Sequence, residues 1–169
     1  MKVTDVPYPK LSLPYALASG FYSGCLPIIT RGTAGSVISC FPAVILWSIW
    51  GNFALFVGIL GLFFAGWWSI SVIEGQLGAK YHDASVFVID EWAGQWICLT
   101  FALPFFWNVW GLGAVVVSLL SFAIFDGLKP WPIRAVDKYV KGGFGVMVDD
   151  VVAAAAAVGL MWVLVQAVL

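Results

Sequence analysis

The chain has 169 residues, of which 62% are hydrophobic and only 10% charged, with ten Trp, a net charge of -1 and a mean hydropathy of +0.99. Soluble domains carry about 25% charged residues, so this composition excludes an ordinary water-soluble globule, and the near-zero net charge excludes a large electrostatic surface for nucleic acid. What remains is an integral-membrane protein, read as one all-α domain over residues 1–169.

At the N-terminus, Lys10 and Arg31 enclose twenty uncharged residues interrupted by Pro14, Gly20, Gly24 and Pro27. A span there would carry Lys2 and Lys10 across the membrane, so the segment reads as an interfacial or re-entrant helix. A signal peptide cleaved after Ala16-Leu17-Ala18 is disfavoured, because the apolar run before it is about five residues against the usual 7–15.

Next come two charge-free stretches, Gly32 to Ile73 with 42 residues and Trp92 to Phe125 with 34. A span needs about 20 residues, so each stretch holds two, with turns predicted at Trp50-Gly51-Asn52 and within Pro104 to Asn108. A fifth span is expected from about Asp149 to Leu169. The predicted fold is a compact bundle of about five transmembrane helices plus the N-terminal interfacial or re-entrant helix. The segment before the first span and the two loops at 74–91 and 126–150 then share one side and hold all eight Lys and Arg, which makes that side cytoplasmic. Trp47, Trp50, Trp107 and Trp110 fall near the opposite tips, at headgroup level.

Eight of the seventeen Asp, Glu, Lys and Arg residues lie between Asp126 and Asp150. Asp149 and Asp150 open the predicted last span, and Asp90 and Glu91 the third. A carboxylate at a helix N-terminus gains about 0.3–1 kcal/mol, and capping accounts for one acid at each start but not two. Glu74 and Asp126 end spans at the negative pole of the dipole and need a positive neighbour; Lys129 lies close to Asp126, and Lys141 close to Asp137. Solvated loop charges are the bland alternative for each residue singly. Together, Asp90, Glu91, Asp126, Asp149 and Asp150 converge at the inner ends of three spans, where bare carboxylates repel unless a divalent cation joins them. Oxygen ligands from Glu91, Asp126, Asp149 and Asp150 suit Mg²⁺. Lys129, Arg134, Lys138 and Lys141 offer donors to an anion. Metal and cations at a cytoplasmic membrane face point to phosphate chemistry on a lipid headgroup.

The strings IDEWAGQW (Ile89 to Trp96), FDGLKPWPIRAVD (Phe125 to Asp137) and GGFGVMVDD (Gly142 to Asp150), preceded by GTAGS (Gly32 to Ser36), run over most of the chain. They resemble the signature of the phosphatidylglycerophosphatase A family; a frequent family Pro is replaced here by Arg31. The resemblance implies a Mg²⁺-dependent phosphatase of the bacterial inner membrane that converts phosphatidylglycerophosphate to phosphatidylglycerol and inorganic phosphate. In that reading the five carboxylates are catalytic, and Lys129 and Arg134 reach the phosphate along a path held extended by Pro130 and Pro132. Gly143, in Gly142 to Gly145, serves either a tight helix start or phosphate contact. Thr33 and Ser36 are either N-caps or hydroxyls facing the substrate, and the family motif favours the second.

Other features carry less. Cys25 and Arg31 have the spacing of a cysteine-phosphatase loop, but LPIIT between them lacks Gly and contains Pro27, which has no N–H to offer. His82, the single His, is a surface residue or a proton shuttle. Cys25, Cys40 and Cys98 are odd in number and lie in apolar surroundings, which suits small core or lipid-facing residues rather than disulfides. Small residues at Ala153 to Ala157 and Gly159 allow close helix approach, within the bundle or between subunits of a homo-oligomer. An ion transporter or channel is the rival from another class, but no inverted repeat or midplane carboxylate is present. A CDP-alcohol phosphotransferase would need an Asp spacing that Asp126, Asp149 and Asp150 do not meet.

Overall fold

The computed structural model describes residues 6–26 and 30–168, with side chains to residue 166. All regular structure among these residues is helical. Helix α1 (Leu13–Ala18) is far short of the length of a span and leads through a single 3-10 turn to α2 (Arg31–Trp50), which forms a hairpin with α3 (Asn52–Leu77). A second hairpin follows, α4 (Ile89–Trp110) and α5 (Gly113–Leu128), then the short α6 (Ile133–Tyr139) and the long α7 (Gly142–Val168).

The first predicted turn stands: Gly51 breaks the helix at φ 65°, a conformation cheap only for glycine. The second does not. Helix α4 continues through Pro104 to Trp110, and the chain reverses at Gly111, φ 52°, and Leu112. A mid-helix proline deprives the carbonyl four residues earlier of its partner. Here that carbonyl, on Thr100, accepts from Asn52 Nδ2 at 3.1 Å, so the first hairpin's tip repairs the second hairpin's helix. Trp47 and Trp107 meet nearby, with ring centroids 5.6 Å apart.

The last helix also starts earlier than expected. It opens at Gly142, so Asp149 and Asp150 lie two turns inside it rather than at its N-terminus, and capping accounts for neither. Its 27 residues span about 40 Å at 1.5 Å rise.

Among the described residues, α2, α3 and Gly142–Gln166 of α7 are long and apolar enough to cross a membrane, and α5 with α6, bent by 55°, makes a fourth candidate. Helix α4 is not among these candidates; it carries Asp90, Glu91 and Gln95 near its start and Asn108 near its end. It sits at the centre of the bundle, packed against α2, α3, α5 and α7, so most of its surface meets protein. Its inward residues Leu99, Ala102 and Leu103 are fully buried with Phe122 of α5 and Ala153, Ala154 and Ala157 of α7. Ala153, Ala154 and Ala157 thus serve packing inside the chain, whereas Ala155 and Gly159 are exposed.

Gly94 permits the closest of these approaches: a Cβ there would lie 2.5 Å from the Phe122 ring and 3.3 Å from the Asp150 carbonyl. Gly94→Leu forces α4 away from α5 and α7, and overpacking of this kind costs about 1–3 kcal/mol. The variant in detergent is expected to melt several degrees below wild type; equal melting temperatures would contradict this packing.

Candidate active site

Three helices bring their acidic residues to one end of the bundle. Asp90 and Glu91 lie in the first turn of α4, Asp126 in the last turn of α5, and Asp149 and Asp150 on α7. All five line one cavity of about 400 Å³, together with Lys129, Asp137 and His82. Within it, Asp90, Glu91 and Asp150 each offer an oxygen within 4.8 Å of the others. Asp90 therefore joins the closest set, which the sequence reading had given to Glu91, Asp126, Asp149 and Asp150. Asp126 and Asp149 stand in the same cavity beside it.

Burial sharpens the electrostatics. Asp90 is 7% exposed and Asp150 3%. Glu91 Oε2, Asp149 Oδ1 and Asp150 Oδ2 are shielded from solvent and have no hydrogen-bond partner among the described residues. Buried charge without a partner costs several kcal/mol per ion. Donors that are all carboxylate oxygens, converging within the reach of one ion, fit a hard cation. Gly32 helps Glu91 into place: a Cβ on Gly32 would lie 2.5 Å from Glu91 Oε1, so glycine lets the carboxylate approach the start of α2, the positive end of its dipole.

The cations are arranged differently from their order in sequence. Lys129 Nζ donates to Asp149 Oδ2 at 2.5 Å and to Asp137 Oδ1 at 3.3 Å, rather than serving Asp126 locally. Its half-buried ammonium is thus paired with two carboxylates at once. Lys129 is also not extended as the following Pro130 predicts. It adopts φ 41° and ψ 59° as the C-cap of α5, its N–H bonded to the Phe125 carbonyl, because ending the helix in a left-handed residue satisfies that carbonyl. Lys141 bonds the backbone carbonyl of Asp137 at 2.8 Å and not its carboxylate. Arg134 is exposed on α6 and does not line the cavity. Lys138 lies over the Tyr139 ring.

Other predicted residues are dispersed. Gly143 donates its N–H to Glu74 Oε2 at 3.2 Å, which supplies the positive neighbour that Glu74 required and turns that amide away from the acidic cavity. Thr30, not Thr33, caps α2: its hydroxyl accepts the Thr33 N–H at 3.3 Å. Thr33 and Ser36 line a second cavity, which also touches Asp126. His82 borders the acidic cavity, with Nδ1 against the Ala79 carbonyl. Cys25 is exposed, with Sγ 3.6 Å from the Tyr15 hydroxyl, and Arg31 donates to Ser85 Oγ at 3.1 Å. Residues 27–29, including Pro27, lie outside the described residues, so the segment between Cys25 and Arg31 has no described path.

One residue escaped the sequence reading. Gln95, fully buried four residues after Glu91, donates Nε2 to Ser118 Oγ at 2.8 Å and ties α4 to α5 directly beneath the carboxylates. An amide one helical turn beyond an acidic pair, in a mostly apolar helix, was the available signal.

Residues 16–165 match the family model described as Phosphatidylglycerophosphatase A. The chain is 38% identical over 162 residues to the Phosphatidylglycerophosphatase A of Escherichia coli (strain K12), an alignment covering 90% of this chain and 84% of that one. It is 36% identical over 155 residues to the protein of that name in Haemophilus influenzae, covering 90% of each. No solved structure matches. With that match over nearly its whole length, the chain belongs to the phosphatidylglycerophosphatase A family.

Proposed function

We infer that the protein hydrolyses phosphatidylglycerophosphate to phosphatidylglycerol and inorganic phosphate, using a Mg²⁺ site made by Asp90, Glu91 and Asp150. The observation that carries this reading is the convergence of those three carboxylates within 4.8 Å beside a half-buried lysine, in a chain of this family. Oxygen-only donors of this type suit Mg²⁺, whereas Zn²⁺ and softer metals favour His and Cys. Bound there, Mg²⁺ supplies positive charge to the phosphoryl oxygens, which otherwise repel any nucleophile.

The chain's own residues do the rest. Lys129, which lines the cavity and is paired with Asp149, is the cation we assign to the phosphate; Arg134 lies outside the cavity. Asp149 is held by Lys129 through one oxygen and keeps the other unpartnered, which suits it to take a proton from an attacking water. Asp126 lines both this cavity and the neighbouring one between α2 and α5. A transporter is the weaker reading: beyond Gln95 and Ser118, α4 presents Cys98, Leu99, Ala102, Leu103 and Phe106 to the core, with no polar route onward.

The topology we propose has five crossings, with α4 counted as one despite its polar start and α5 with α6 as one bent segment. The acidic cavity then opens on the side with all eight Lys and Arg, the cytoplasmic side. α1, with Leu13 exposed and Tyr15 and Ala18 buried, lies at that interface, as does the exposed Leu11 just before it.

Removing divalent cations with EDTA is expected to abolish phosphate release, and Mg²⁺ to restore it; full turnover after trace metal removal would end the metal assignment. Asp150→Asn and Glu91→Gln keep the side-chain shape and lose a charge. Each is expected to lower turnover by about 10²–10³-fold while raising the melting temperature in EDTA, because repulsion is relieved. A lower melting temperature would instead show that these acids stabilise the fold without metal. For topology, single cysteines at Leu112 and Tyr139, both well exposed, are placed in a Cys25→Ser background. An impermeant thiol reagent outside intact cells should label the first and spare the second, and labelling of Tyr139→Cys would reverse the orientation.

A further inference from the structure

The second cavity, of about 300 Å³, lies between α2 and α5. These two helices barely touch, although each packs firmly on α4. Asp126 lines both this cavity and the acidic one, so the two share a wall that is itself part of the candidate active site.

Its lining changes character with depth. At one end stand Thr30, Thr33, Ser36 and Asp126; at the other, Val37, Leu119, Leu120 and Ala123. The two helices run in opposite directions, yet the gradient has one direction. Val37 is about one turn along α2 from Thr33, and Leu119 is about two turns back along α5 from Asp126, roughly 10 Å at 1.5 Å per residue. Both steps lead from the acidic end of the bundle toward its middle. Val37 is 49% exposed and Leu120 60%, so the deep end opens sideways rather than into the protein. The Thr30 and Thr33 hydroxyls bond each other at 2.6 Å, leaving lone pairs for a further polar partner. By contrast, the apolar cavity lined by Pro42, Gly58 and Trp96 has no polar lining and none of the acidic residues.

We propose that the slot between α2 and α5 is a lateral lipid-binding site. Resting on the phosphatase reading above, it holds the glycerol backbone and the first acyl methylenes of the substrate while the terminal phosphate occupies the acidic cavity. An amphipathic groove graded from hydroxyl and carboxylate to aliphatic side chains, adjoining the phosphate site at Asp126 and open to the side, matches a phospholipid's own sequence of groups. About 300 Å³ is too small for whole acyl chains, which stay in the bilayer. The substrate therefore reaches the active site without leaving the membrane.

Val37→Trp and Ala123→Trp fill the slot from opposite walls at positions without core packing. Val163→Trp places the same bulk on an exposed part of α7. Phosphate release from phosphatidylglycerophosphate in mixed micelles is measured for each, together with the rise in melting temperature on adding Mg²⁺. Both slot variants are expected to lose on the order of tenfold or more in turnover and to keep the Mg²⁺-induced rise, while Val163→Trp behaves as wild type. Slot variants that turn over like Val163→Trp would overturn the proposal, as would a loss of turnover accompanied by loss of the Mg²⁺ effect, which would place the damage in the acidic cluster. A wild-type protein that releases no phosphate would sink the phosphatase reading itself, an outcome separate from failure of the slot alone.

Discussion

The repulsion among carboxylates gathered at one end of the bundle is the constraint to which the rest of the structure answers. Asp90, Glu91 and Asp150 bring oxygens within 4.8 Å of one another. At that separation two ionised carboxylates repel by roughly 3 kcal/mol at an effective dielectric of about 20, and the set contains three such pairs. A fold of net stability about 5–15 kcal/mol does not hold such a cluster without compensation. The compensations are visible: Lys129 bridges Asp149 and Asp137, the start of α2 faces Glu91 across Gly32, and the converging oxygens have the chemistry of a cation site.

The apolar part of the bundle is built to hold that end together. Helix α4 carries two of the three acids and occupies the centre, where its polar start is shielded by neighbours. Gly94 and the alanines of α7 bring α5 and α7 close to it, and the bond between Gln95 and Ser118 fixes α4 to α5 one turn below the acids. The weak packing between α2 and α5 is the exception, and it lies where a lipid substrate would need an opening. Close packing around α4 and a gap beside Asp126 thus serve one chemistry: rigid ligands, with side access for a molecule that cannot leave the bilayer cheaply.

Much of this was legible in the sequence, through charge more than through periodicity. Long uncharged stretches marked the helical hairpins, and Gly51 marked its turn because only a permissive residue reverses the chain so tightly. The second turn was misplaced, since Pro104 reads as a breaker when the rescue of the Thr100 carbonyl by Asn52, 48 residues away, is invisible. The start of α7 was missed for a related reason: Gly142 to Gly145 read as a loop, whereas glycine there allows packing against α3, where a Cβ on Gly143 would lie 2.7 Å from Ser71 Oγ. The five acids that line the one cavity stood out in the sequence because clustered like charges in an apolar chain demand an explanation. Which three stand closest, and that Lys129 serves Asp149 rather than Asp126, depended on helix rotation and on the left-handed cap at Lys129, neither of which local sequence encodes.

The account's central claim is that the buried acids form a divalent-cation site. It is tested most directly by titrating purified protein with Mn²⁺, a paramagnetic substitute for Mg²⁺, and following the EPR signal of the free aqueous ion. The account predicts that wild-type protein removes Mn²⁺ from solution, that Mg²⁺ displaces it, and that a folded Asp90→Asn, Glu91→Gln, Asp150→Asn triple variant takes up none. Equal uptake by the triple variant, or none by the wild type, would contradict it.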